Sequence, residues 1–142
     1  MKTKSISKKE AVNGWVIADA SGKILGRVAT VVAAVLQGKH KATWIPNLDN
    51  GDHVILINAG EVRLTGKKEL QKQYFSHSTY PGGEKIVDYK HALAKDPCFP
   101  LVHAIKGMLP KTSLGQQMFT KLHIYPAGEH PHAAQKPAAL KL

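Results

Sequence analysis

Apolar and polar positions follow two rhythms along this chain. From Leu25 the apolar residues Leu25, Val28, Ala29, Val32 and Leu36 recur at three- and four-residue intervals, one face of a helix, and Gly38 is a suitable stop. Before this stretch, "WVIADA" (15–20) is a short β-rich run followed by the turn sequence "SGK". After it, "HVILINA" (53–59) is a continuous apolar run, as expected of a strand covered on both faces. These segments predict a βαβ unit, whose crossover is right-handed in nearly all cases.

The pattern is more broken downstream. "EVRLTGKK" (61–68) predicts a further short strand ending in a basic turn, and "YFSHSTYPGGEK" (74–85) gathers aromatics around a Pro-Gly-Gly turn. "IVDYKHALAKDP" (86–97) and "PLVHAIKGMLP" (100–110) read as two short helices separated by proline. "SLGQQMFTKL" (113–122) reads as a third, with Ser113 as N-cap, and "LHIY" (122–125) as a last strand. Within "KGMLPKTSLGQQMF" (106–119), Met108, Leu109 and Phe119 are expected to pack while Gly107, Pro110 and Gly115 bend the segment. The expectation is one α/β domain over 14–125, a basic N-terminal arm over 1–13 and an extended, unpacked C-terminal tail over 126–142.

Composition narrows the function. The 142 residues are 43% hydrophobic, enough for a core, yet 20 Lys plus Arg face 10 Asp plus Glu, a formal charge of +10. Such a surplus opposes compactness unless an anionic partner neutralises it. Only Arg27 and Arg63 are arginine, so the surface suits point contacts to phosphate more than bidentate reading of base edges. "MKTKSISKKEAVNGW" has no apolar core of a secretory signal, and "LGRVATVVAAVL" (25–36) is too short to span a bilayer. A single cysteine, Cys98, excludes an internal disulfide framework and is expected to pack as an apolar thiol. The reading is a soluble, intracellular protein without a membrane partner.

No catalytic constellation stands out. "GEVRLTGKK" (60–68) has five residues between Gly60 and Gly66, where a phosphate-binding P-loop has four, and Lys68 where a hydroxyl should follow the lysine. His130 and His132 in "EHPH" could share an ion, but no cysteine or clustered carboxylate completes a set. Ser76, His77 and Ser78 are sequence neighbours with no nucleophile elbow, and Asp49 and Asp52 flank "NG" as turn formers. No catalytic residue, metal, cofactor or small-molecule substrate is expected.

What remains is the placement of positive charge. Lys39, His40 and Lys41 follow the first helix, Lys67 and Lys68 a strand, and Lys106, Lys111 and Lys121 punctuate the broken segment, with His130 and His132 in the tail. Cations in loops and at element ends can reach a phosphate backbone. Beside His77, Tyr74, Phe75 and Tyr80 lie among polar residues where a ring can stack on a base, although the core is favoured for Phe75; Gly82 and Gly83 would let main chain approach phosphate. The charge pattern is compatible with an RNA-binding structural protein, a regulatory RNA-binding module or a small phosphate-handling enzyme, and favours the first.

The chain resembles the bacterial large-subunit ribosomal protein thirteen family from about Trp15 to Pro137. The resemblance is carried by "LGRVAT" (25–30), "GKHK" (38–41), "DNGD" (49–52), "INA" (57–59), "TGKK" (65–68), "YPGG" (80–83), "KGMLPK" (106–111), "LG" (114–115) and "EHPHAAQKP" (129–137), in order and spacing. It implies a three-layer α/β/α domain around a small, mainly parallel sheet. It also implies a non-enzymatic role in the cytoplasm, binding large-subunit ribosomal RNA early in assembly beside neighbouring ribosomal proteins, with no obligate homo-oligomer. The family usually has glycine where Thr79 stands, asparagine at Thr112 and arginine after "LG", where Gln116 and Gln117 follow here.

Overall fold

A computed structural model describes residues 11–142; the basic arm falls mostly on residues 1–10, outside the described range. β1 (Trp15–Asp19), α1 (Leu25–Gln37) and β2 (His53–Ile57) form the expected βαβ unit, with β1 and β2 parallel and Trp15 opposite His53. Gly38 ends α1 with φ 76°, its N–H and that of Lys39 taking up the last carbonyls. A 3-10 turn (Ala59–Glu61), α2 (Lys68–Gln71) and an antiparallel hairpin of β3 (Gln73–His77) and β4 (Glu84–Asp88) follow. Then come α3 (Tyr89–Lys95), α4 (Phe99–Met108), α5 (Ser113–Phe119), β5 (Leu122–Ile124) and β6 (Ala138–Ala139). The main sheet has the order β5-β2-β1-β6, all parallel.

Alternation along the strands separates the two faces. Val16, Ala18, Val54, Leu56, Leu122 and Ile124 join the core with α1, α4 and α5, where Leu36, Leu101 and Ile105 are almost fully buried. Each such side chain contributes roughly 1.5–3 kcal/mol by leaving water. The other face carries Trp15, His53 and His123, and His132 lies against it from the C-terminal segment. A single α/β domain around a mainly parallel sheet is therefore what the chain forms.

Several local expectations are corrected. Residues 61–68 form no strand: Arg63 makes one isolated bridge to Ile24, because the chain turns at Asn58 and is held by Lys23 and Glu61 backbone groups. Residues 86–88 are strand, paired with 73–75, and helix begins only at Tyr89. The cap of α5 is Thr112, whose Oγ1 accepts from the Gly115 N–H at 3.2 Å, and Ser113 is its first helical residue. Gly107 bends nothing, since α4 runs through it to Met108. Met108 is 40% exposed and Phe75 60% exposed, whereas Leu109 is buried and Phe119 packs on the core.

The tail is not unpacked. β6 pairs with β1, Leu140 N–H donates to Ile17 O at 2.8 Å, and Leu140 and Leu142 lie against the core.

Candidate nucleic-acid interface

The segment after α1 is held by charge. Asp52, at the foot of β2, accepts from the Gly14 N–H at 2.7 Å and Lys41 Nζ at 2.6 Å, and its other oxygen meets His40 Nε2 at 2.9 Å. Burial pushes the Asp52 carboxyl up, but the Lys41 ammonium, the Gly14 N–H and His40 together outweigh it and hold the acid below its ordinary value. Lys41 Nζ also donates to the carbonyls of Val12 and Asn50. Lys121, 5% exposed, reaches Asp49 at 2.5 Å and Gly51 O at 2.7 Å.

Two of the candidate RNA contacts are thereby corrected. Lys41 and Lys121 are structural cations, because each ammonium is enclosed by internal oxygens and would have to abandon them to meet a phosphate. Asp49 and Asp52, expected only to form turns, are their partners. His40 keeps an exposed edge, its side chain being 41% accessible while bonded to Asp52. Among the described residues no ion pair involves Lys39, Lys67, Lys68, Lys106 or Lys111, all of which are exposed.

The fold sorts these free cations. α1 runs back along the sheet, so its end meets the N-terminal edge of the strands, where Asp52 N–H donates to Val35 O at 3.3 Å. Gln37 Nε2 donates to Met108 O at 3.3 Å, so α4 ends beside α1. Lys39, His40, Lys106 and Lys111 therefore gather at one edge. Lys67 and Lys68 follow β2 and the Arg63–Ile24 bridge near the start of α1, at the opposite edge.

The hairpin extends from that second edge. Tyr74 is buried against Phe99 and His103 at ring distances of 5.0 and 5.1 Å, and burial beside Tyr89 pushes its phenol up to about 12. It cannot stack on a base. Tyr80, 78% exposed at the tip, can, and Gly82 is exposed beside it with φ 74°. Gly83 is partly enclosed by Ser78, which leaves Gly82 as the closer-approach glycine of the pair. His77 closes the strand, exposed, with its Nδ1 2.6 Å from Ser78 O.

His130 and His132 are taken up in a layer of aromatic rings. His132 sits 5.2 Å from Trp15 and 4.6 Å from His123, and its Nε2 is 2.8 Å from the Tyr125 hydroxyl. Trp15 and His53 stack at 4.3 Å with planes 9° apart. His132 N–H donates to His130 Nδ1. Among the described residues no group of three or more His, Cys, Asp or Glu is arranged to hold a metal ion. These imidazoles are a packed layer on the sheet.

That layer dictates a pH dependence. Burial lowers the His53 and His123 pKa values, Lys121 adding for His53 and the neighbouring imidazoles His132 and His53 for His123. The unfolded chain thus takes up protons first, near the ordinary value of 6.5, so stability is full above that pH and falls as pH drops below it. Thermal melts between pH 8 and pH 5 are expected to show a falling Tm, and His53→Phe, which keeps the stack with Trp15 but cannot charge, should flatten the fall.

Cys98 packs against the core with its thiol pushed up by burial and Asp96, in keeping with an inert role. Among the described residues no helix is long and apolar enough to cross a membrane.

Comparison with known proteins places these features in a family. The profile described as ribosomal protein L13 matches residues 13–131. The chain is similar to large ribosomal subunit protein uL13 of Dictyoglomus thermophilum, 50% identical over 142 residues and 100% of both chains. Against the proteins of that name from Roseiflexus sp. and Geobacillus kaustophilus the identities are 52% and 51%, covering 96% and 100% of this chain and 94% and 99% of theirs.

Proposed function

Because the chain belongs to the ribosomal protein L13 family, and so is a structural, non-catalytic constituent of the large ribosomal subunit, we propose that it binds large-subunit ribosomal RNA through two basic edges and helps the subunit assemble. The observation that carries this reading is the contrast between two internally paired loop lysines and two outward-facing lysine groups at opposite ends of the sheet. Where Lys41 and Lys121 are satisfied internally, Lys39, Lys106 and Lys111 at one edge and Lys67 and Lys68 at the other face outward with no carboxylate partner among the described residues. Two separated cationic edges can hold two RNA segments at a fixed spacing, which a single patch cannot. His40 adds an exposed ring edge to the first edge, and Tyr80 with Gly82 and His77 adds a stacking and close-approach element to the second. His130 and His132 contribute through the order they give the tail.

Phe75 and Ile86 sit opposite each other on the hairpin, 60% and 59% exposed, and this apolar pair supports contact with a neighbouring ribosomal protein.

The binding mechanism is release of counterions from phosphates, so affinity for a folded large-subunit RNA fragment is expected to fall steeply with salt. Lys67→Ala combined with Lys68→Ala should reduce the slope of log affinity against log salt by about two. A slope equal to wild type would remove that edge from the interface.

A further inference from the structure

A cleft of about 710 Å³ opens between α4 and α5, within the range that holds small organic ligands. Leu109 and Phe119 supply an apolar wall, Lys106 and Lys111 stand at the rim, and Gln116 offers an amide. None of the described residues lining it is acidic. Lys106 Nζ rests 5.8 Å from the centre of the Phe119 ring, so an entering base would displace this ammonium from the ring toward the rim. The wall is kept in place by Gly115, which is pressed so closely on Pro110 O that a Cβ there would lie 1.9 Å away.

An apolar, aromatic-walled cleft with a rim of one sign calls for an occupant that is flat and apolar in one part and anionic in another. A stacked duplex offers its phosphates but keeps its bases inside. A nucleotide turned out of its stack offers both. We propose that this cleft receives one unstacked nucleotide of the ribosomal RNA, with its base against Phe119 and its phosphate between Lys106 and Lys111, an inference that rests on the RNA-binding reading above. Gln116, which lines the same cleft, supplies an amide for the base edge. Lys39 and His40 at the same edge continue the cationic path, which favours a polyanion over an acidic peptide carrying an aromatic side chain.

Gly107 provides the test. It lines the cleft, lies within α4, and a Cβ built on it meets nothing within 4 Å. Gly107→Leu fills the space without changing charge and replaces glycine by a better helix former, so its Tm should equal or exceed wild type. With a transcript of the 23S-type ribosomal RNA, the variant is expected to bind about tenfold more weakly at an unchanged salt slope. Probing by 2′-hydroxyl acylation should show one or two nucleotides whose reactivity changes with wild type and not with Gly107→Leu or Phe119→Leu. Wild-type binding with an identical affinity and reactivity profile for Gly107→Leu overturns the cleft assignment alone. Retained RNA binding with loss of a neighbouring ribosomal protein from the complex overturns it in favour of a peptide occupant. Absence of RNA binding by wild type itself would overturn the underlying RNA reading.

Discussion

Gly51→Ala is expected to destabilise the protein by about 3 kcal/mol or more. The methyl carbon would sit 1.8 Å from Leu36 O and 2.4 Å from its carbonyl carbon. Those atoms belong to the last turn of α1, fixed from behind by Leu36 and Val35 in the core, so neither side can retreat without unseating the helix end. Thermal unfolding should register a drop of ~10 °C. Gly26→Ala is the control: it lies on the exposed side of α1 with nothing within 4 Å, and should leave Tm unchanged or slightly raised. An unchanged Tm for Gly51→Ala would mean that the segment 38–52 is held less closely against α1 than its geometry says.

The second large effect is expected at Asp52. Asp52→Ala leaves the Lys41 ammonium, with 20% of its side chain exposed, among carbonyls and without a counter-charge, and strips the Gly14 N–H of its acceptor. Breaking a buried pair costs about 3–5 kcal/mol, and the partial exposure of Lys41 brings the figure to about 2–3 kcal/mol. The loss should be greatest at neutral pH. Since the carboxyl is held below its ordinary value of 3.8, its contribution is present above that value and disappears as pH falls through the depressed one. Melts of wild type and variant should therefore converge in strong acid. RNA affinity measured below both melting temperatures should not weaken, because the substitution removes a negative charge and frees Lys41 and His40. A fall in affinity with no change in Tm would sink the view of Asp52 as a staple.

How legible was all this in the sequence? α1 announced itself because its buried residues keep one period for three turns and Gly38 marks its end. β1 and β2 were equally plain as short apolar runs, β2 alone matching a strand buried on two sides. The lysines were not legible individually. Lys41 finds its carboxylate 11 residues away and Lys121 finds Asp49 72 residues away, and nothing local separates these from Lys39 or Lys111. A loop cation looks the same whether it points in or out. The hairpin was missed because β4, "EKIVD", is exposed throughout and so shows no alternation, and β6 is two alanines, residues with poor strand preference that pair only because β1 offers them an edge. The cleft was foreshadowed: the broken character of 106–119 was visible, but that Gly115 closes on Pro110 while Gly107 stays open is a fact of packing.

The pairing of Val16 with Ala138 has a consequence for the order of events during synthesis. β2 can join one side of β1 early, and α1 can cover the face between them. The other side of β1 must wait while roughly 120 further residues are translated, a delay that favours the late, slow closure typical of distant parallel pairing. For that interval the nascent chain displays an open strand edge, a template for wrong partners. Completing β1 before another chain does is thus an early requirement for a protein destined for the ribosome.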